Sequence, residues 1–386
     1  MRDALLFQFI ADRAYDLAAA HVDVEPPPPF AHADVHLLAS ALQKAVRRGD
    51  LPIARRAGHQ LHALDRQRLW RRLAVIALED IGIASIETVA DVIAISALRA
   101  SRRLLGGDIP ALDIALTRAC AAVKDRTGDH LGSIINREPV DEMDRVALHQ
   151  ASPHALLAVL ASSDLPWTRR LHAGVLAAGR SDGPFHPSAP NIGAVFDVLL
   201  EMGAPSPLVT ACQVYAARQR DLLPVCVPFA SVLAKANHGG AVARDLPPSE
   251  QIGELPDFSF DPLHTRLGRR AVDLWLRSYL MKQPWLPRQA AAALWNAESA
   301  ACDRTLDWSM SDAIRERAHR SDLLARGVPC ERHDELMGWI ARERPALNAA
   351  RTAVWNSVRR LSGEAAEALE QANLPLPVPG GWSRRG

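Results

Sequence analysis

Leu69-Trp70-Arg71-Arg72-Leu73-Ala74-Val75-Ile76-Ala77-Leu78-Glu79-Asp80-Ile81-Gly82-Ile83-Ala84 is the stretch that decides the fold class. Leu69, Leu73, Ile76 and Ala77 recur at helical spacing and give one apolar side to a helix over about 66–78. Gly82 then permits a sharp exit. The same pattern continues outward. Helices are expected near 34–48, closed by Gly49, and over 51–64, 85–105 and 110–123. Gly106-Gly107 closes one of these, and Asp108 with Pro110 opens the next. Upstream, Leu6, Phe9, Ile10 and Leu17 mark an amphipathic helix over 3–21, and Pro26 to Pro29 form a stiff extended linker.

Downstream, residues 137–238 read as shorter helices punctuated by Pro139, Pro153, Pro166, Pro184 and Pro187. Gly239-Gly240, Pro247-Pro248 and Pro256 mark 239–262 as a linker. A helical block follows over 263–372, and 373–386 is expected to be a disordered tail. No sustained period-two alternation with β-branched residues signals a strand, and no fixed repeat period appears. The expected fold is all-α. It divides into an N-terminal helix with proline linker (1–36), helical domains at 37–136 and 137–238, the linker, and a C-terminal helical domain.

The 386 residues are 48% hydrophobic and 23% charged, the balance of a globular protein with a large core. Lys and Arg number 45 against 44 acidic residues, so a net charge of +1 gives no bulk pull toward nucleic acid or membrane. Lysine occurs only at Lys44, Lys124, Lys235 and Lys282; arginine supplies the rest of the positive charge. The five cysteines (Cys120, Cys212, Cys226, Cys302 and Cys330) are scattered in apolar surroundings, as buried thiols in a reducing compartment would be. With no signal-peptide pattern at the start and no apolar run of membrane-spanning length, a cytoplasmic location is expected.

Several chemistries lack their residues. There is no phosphate-cradling G-x-x-x-x-G-K-[ST], no G-x-G-x-x-G, no H-E-x-x-H, no paired C-x-x-C and no G-x-S-x-G. No cofactor, nucleotide or metal is therefore expected, and no catalytic residue is assigned. His59 with His62, and Cys330 with His333 and His319, supply too few ligands for a tetrahedral zinc. Asp125 and Asp129 read as a solvated helix end. Asp141-Glu142-x-Asp144 reads as charge at a helix N-terminus.

Two charged clusters remain as binding candidates. Lys44, Arg47 and Arg48 end the 34–48 helix, where cations favour the dipole, and are expected to face outward. Glu79 and Asp80 sit at the unfavourable end of theirs and call for an interhelical partner among Lys44, Arg47 and Arg48; Arg71 and Arg72 lie earlier on the same helix. In the C-terminal block, Asp261 can cap a helix begun by Pro262. His264, Thr265, Arg266, Arg269 and Arg270 would then form an anion site with its exposed amides. The tryptophans Trp275, Trp285, Trp295, Trp308, Trp339 and Trp355 read as packing residues.

Ser40-Ala41-Leu42-Gln43-Lys44-Ala45-Val46-Arg47-Arg48-Gly49-Asp50, followed by the 69–84 stretch, resembles the C-terminal region of the RarA/MgsA family of replication-associated recombination ATPases, which includes the Werner-helicase-interacting protein. The resemblance covers about 37–136 and includes Lys124-Asp125-Arg126-Thr127 as a short Lys-containing turn. It implies a helical collar, of the kind that assembles those ATPases into oligomers at replication forks. Only 36 residues precede the segment here, so ATP-driven work is not implied. Asp261 to Gly268 is similar to an Asp-x-His-Thr-Arg-x-Gly pattern of other stand-alone bacterial proteins with this collar, with one residue added at Pro262-Leu263.

The expected function is a non-enzymatic accessory or assembly protein in bacterial DNA replication, recombination or mobile-element maintenance. It would act by self-assembly or by docking a protein partner, with DNA as a further partner and no membrane. The rival expectations are an interaction scaffold without DNA contact, and an enzyme with a dispersed site around Asp261, His264 and Arg266.

Overall fold

A computed structural model describes residues 2–19, 25–138, 142–180, 190–235, 238–277, 293–325, 327 and 333–371. The expected tail, together with Trp285 and Cys330, lies outside the described residues. The fold is all-α, with a few short strands.

Residues 35–137 form α3 (Val35–Arg47), α4 (Leu51–Leu64), α5 (Arg66–Ile76), α6 (Ile86–Ala97), α7 (Arg99–Leu104), α8 (Asp108–Ala121) and α9 (Thr127–Arg137). Three aspartates start the first three of these helices. Asp34 accepts from the His36 and Leu37 amides, Asp50 from Ile53 and Asp65 from Arg68, each relieving amides that a helix start leaves unpaired. Between α5 and α6 the chain forms a π-turn over Ala77–Ile81 and a 3-10 turn over Gly82–Ser85. The preceding helices α1 (Arg2–Ala11) and α2 (Ala14–Ala19) lie on this chain's own core, where Leu6, Ile10 and Leu17 are buried. Arg56 holds the proline run by donating to the carbonyls of Pro28 (2.7 Å) and Pro29 (3.0 Å).

Six shorter helices follow: α10 (Glu142–Gln150), α11 (Pro153–Ala161), α12 (Trp167–Ala177), α13 (Ile192–Glu201), α14 (Ser206–Ala216) and α15 (Leu223–Ala234). α14 packs on α6, and α15 on α9, so their core is continuous with that of α3 to α9. Gly128 makes the second contact possible, because a Cβ there would run into Val227.

Residues 239–262 are not a linker. β1 (His238–Ala243) pairs antiparallel with β4 (Arg304–Trp308), with Val242 opposite Thr305. β2 (Gln251–Ile252) and β3 (Leu255–Pro256) form a hairpin closed at Gly253, whose φ is +66°. Asp257, Phe258, Ser259 and Phe260 are buried. The strands escape a sequence reading because each is short and none alternates cleanly. α16 (Arg266–Arg277), α17 (Ser311–Ala325) and α18 (His333–Gln371) complete the chain. α16 packs on α18, and α17 on α9.

β4 does more than pair with β1. Its other edge meets Lys124: the Lys124 amide donates to the Arg304 carbonyl (2.9 Å), and the Leu306 amide donates to the Lys124 carbonyl (2.9 Å). The C-terminal part of the chain is thereby tied to the Lys-containing turn between α8 and α9.

Candidate anion-binding cavity

The charged end of α3 faces inward. Lys44 and Arg47 are 3% and 2% exposed, so the expectation that they face solvent is corrected. The apolar face of α3 packs on α4, while its polar end meets two carboxylate-bearing elements, which removes both cations from water. Lys44 Nζ lies 2.8 Å from Asp261 Oδ2 and donates to Ser40 Oγ at 2.8 Å. Arg47 bonds Glu79 (2.7 Å) and Asp80 (2.5 Å) and also donates to the Ser299 carbonyl. Arg47 is thus the interhelical partner that the Glu79-Asp80 pair requires.

Arg126 is the residue that sequence reasoning missed. It pairs with Glu79 (3.3 Å), Asp80 (3.3 Å) and Asp129 (2.6 Å). Its signal was the Lys124-Asp125-Arg126-Thr127 turn itself, which follows α8 and buries all four of its polar side chains. Asp125 and Asp129 are accordingly not a solvated helix end. Asp125 is buried, accepting from Thr127 N and Oγ1 (2.9 and 3.1 Å) and from Trp308 Nε1 (3.2 Å). Burial raises its carboxyl to about 6 against these hydrogen bonds.

Asp261 is saturated. Oδ1 accepts from the Leu263 and His264 amides (2.7 and 2.9 Å), and Oδ2 from Lys44. Burial opposes its charge, but Lys44 and His264 outweigh burial and hold it far below the usual carboxylate range. The amides expected to bind an external anion are therefore satisfied by this side chain, which corrects the proposed helix-terminus site. Thr265 Oγ1 donates to the Asp261 carbonyl (2.7 Å), and Arg269 to that of Leu263 (3.1 Å). Arg266 and Arg270 are exposed.

Between these parts lies a cavity of about 1170 Å³. Of the candidate residues it collects Lys44, Arg47, Arg72, Glu79, Asp261 and His264. It does not collect Arg48, Arg71, Asp80, Thr265, Arg266, Arg269 or Arg270. Arg48 instead donates to the Pro247 carbonyl (3.1 Å) and stacks on Phe258, and Arg71 is exposed. The structure adds Arg68, Arg137, Arg180 and Arg220 to the lining, with Asp129, Asp221 and Asp322. Each acidic lining residue already has a donor. Asp322 pairs with Arg137 (2.8 Å), and Asp221 accepts from the Tyr215 hydroxyl and the Leu223 amide. Three lining arginines lack a carboxylate. Arg72 donates to Gln43 Oε1 (3.0 Å), and Arg180 donates to the Ala216 and Gln219 carbonyls. Arg220 is exposed and has no partner among the described residues.

His130 and His319 meet edge-on, ring centroids 5.6 Å apart, and line both this cavity and a smaller one of about 220 Å³. Burial, then Arg126, keeps both imidazoles uncharged, His319 at about 4. His59 and His62 serve as hydrogen-bond partners of Asp113 (2.8 Å) and Asp108 (3.4 Å). Among the described residues no group of three His, Cys, Asp or Glu side chains is placed to hold a metal, and no helix is long and apolar enough to cross a membrane. Cys120, Cys212, Cys226 and Cys302 are buried free thiols.

No family model matches the chain, and no curated protein or solved structure was found to match it.

Proposed function

We propose that this chain is a non-enzymatic accessory protein of DNA replication or recombination that holds a phosphodiester strand at the arginine-lined cavity. The observation that carries the reading is the imbalance of pairing in that cavity. Each of its carboxylates accepts from a donor, whereas Arg72, Arg180 and Arg220 have no carboxylate within ion-pair distance among the described residues. Guanidinium groups left in this state suit phosphate oxygens. At a net charge of +1, attraction for a polyanion would come from this local arrangement rather than from the molecule as a whole. The collar resemblance over 37–136 supports the replication context.

Lys44 and Arg47 are engaged within the chain, so docking through them is not part of this reading. An enzyme centred on Asp261 is not favoured either. Both of its oxygens are occupied, and Arg266 lies outside the cavity.

The test is to titrate the protein into labelled single-stranded, duplex and forked DNA at two salt concentrations, with light scattering on the same samples. Salt-sensitive binding is expected, with Arg220→Ala lowering the salt slope by about one, as removal of one phosphate contact does. Absence of binding to any DNA at low salt overturns the reading and favours a protein scaffold without DNA contact.

A further inference from the structure

At one wall of the cavity, where Arg47, Glu79 and Asp129 line it, the ion-pair cluster carries more carboxylates than guanidinium groups. Arg47 and Arg126 face three carboxylates, Glu79, Asp80 and Asp129, within one connected set of ion pairs. Asp129 is the member of this set most open to the cavity, with its side chain 29% exposed against 16% for Glu79 and 0% for Asp80. Its Oδ2 accepts from Arg126, and its Oδ1 has no partner among the described residues.

Among the described residues Asp129 pairs with no cation besides Arg126, and Arg137 on its own helix is taken by Asp322. On its own helix, His130 is uncharged. From α15 comes Cys226, a protonated thiol, and from the turn before it Asp221, a carboxyl group engaged by Tyr215. From α17 comes His319, also uncharged at neutral pH, while Asp322 is paired with Arg137. From α12, His172 is held neutral by burial and Arg169 is paired with Asp144 at 3.2 Å. A phosphodiester entering the cavity adds negative charge beside this excess, where partial exclusion of water strengthens the repulsion.

We infer that Asp129 takes up a proton from solvent as a phosphodiester enters the cavity and then donates Oδ1–H to a phosphate oxygen. This rests on the cavity being the binding site proposed above. No other bond is made or broken: the carboxylate gains one proton, and the repulsion between two anions becomes a hydrogen bond. Asp129 is then a specificity-determining residue. It favours a ligand that presents an acceptor oxygen at this wall and ties affinity to pH. The free protein is already poised for this. Burial raises the Asp129 carboxyl, Arg126 lowers it, and Glu79 lifts it again, leaving it at about 7.

The test is isothermal titration of the full chain with an oligothymidylate lacking terminal phosphates, whose phosphodiesters do not titrate near neutrality. It is run in two buffers of different protonation enthalpy. At about pH 8 the wild type should take up close to one proton per strand bound, with affinity falling about tenfold per pH unit above neutrality. Asp129→Asn keeps the shape and an amide donor but cannot titrate. It should bind at about pH 8 as the wild type does at about pH 6, without proton uptake. Wild-type binding with no dependence on buffer overturns the inference, whether or not the variant folds. So does uptake that persists in Asp129→Asn, because His36 and His264 also line the cavity and are intact there. Failure of the wild type to bind at any pH overturns the proposed function itself, and this inference with it.

Discussion

Asp261 joins two parts of the chain through one carboxylate: Oδ1 caps the turn into α16, and Oδ2 holds Lys44 of α3. Burial pulls the Lys44 ammonium down to about 8 even with Asp261 against it, so at neutral pH the pair is charged and desolvated on both sides. Removing one member leaves the other uncompensated. Lys44→Met should cost about 3–5 kcal/mol, the usual penalty for breaking a buried pair, read as a lower urea midpoint at unchanged slope. A loss under about 1 kcal/mol would show that the pair is solvated. His319 allows a test with pH. Its folded-state value of about 4 lies below the ordinary 6.5, so in between the unfolded chain binds a proton that the folded chain refuses. Its contribution to stability is therefore complete above 6.5 and is lost as pH falls toward 4. His319→Phe removes the titrating group. The stability difference between variant and wild type should shift in the variant's favour by about 2 kcal/mol over that window. A pH-independent difference would mean that His319 binds its proton as readily in the folded chain as in the unfolded one.

At the scale of the element, the turn after α5 shows what was legible in the sequence. Apolar periodicity with Gly and Asp punctuation places α3, α4 and α5 within a few residues of their expected limits, because those signals are local. Glu79-Asp80 called for an interhelical cation for the same local reason, and Arg47 supplies it. The inward direction of that end of α3 was not legible, since it depends on residues more than two hundred positions away, such as Asp261. Gly82 has a requirement beyond a flexible exit. Its φ is +52°, and a Cβ there would strike the Asp125 carbonyl, whose own amide donates to Asp80 O at 3.0 Å. Gly82→Ala should therefore combine backbone strain with a clash and destabilise by more than about 2 kcal/mol. Gly107 is the control. It has φ +114° but nothing within 4 Å of an added Cβ, so Gly107→Ala should show strain alone and a smaller fall in melting temperature. Equal falls would mean that the approach of Asp125 to this turn is not tight.

Over the whole molecule, the divisions expected from composition fail where polar, proline-rich sequence is taken for a joint. Residues 239–262 carry the composition of a linker, yet β1 borders β4, β4 borders Lys124, and Asp257 is held by Arg344 at 2.9 Å. Proline and glycine there shape a hairpin and irregular strands, and composition alone does not distinguish such a segment from a flexible one. The consequence reaches the core. Arg47 accepts at its carbonyl from the Asp303 amide (3.0 Å), and Trp308 Nε1 donates to Asp125. Residues 35–137 thus complete their buried polar groups with atoms from the far end of the chain. A fragment ending at residue 250 would leave the Lys44 ammonium without its carboxylate and one edge of Lys124 without its strand. Unpaired buried groups of this kind cost several kcal/mol together, comparable to the whole stability of a domain. The fragment should accordingly give a broad, weakly cooperative melt by circular dichroism, whereas the full chain should unfold in one sharp step. A fragment melting as cooperatively as the full chain, at a similar temperature, would show that the N-terminal helices are self-sufficient and that their buried cations find other partners.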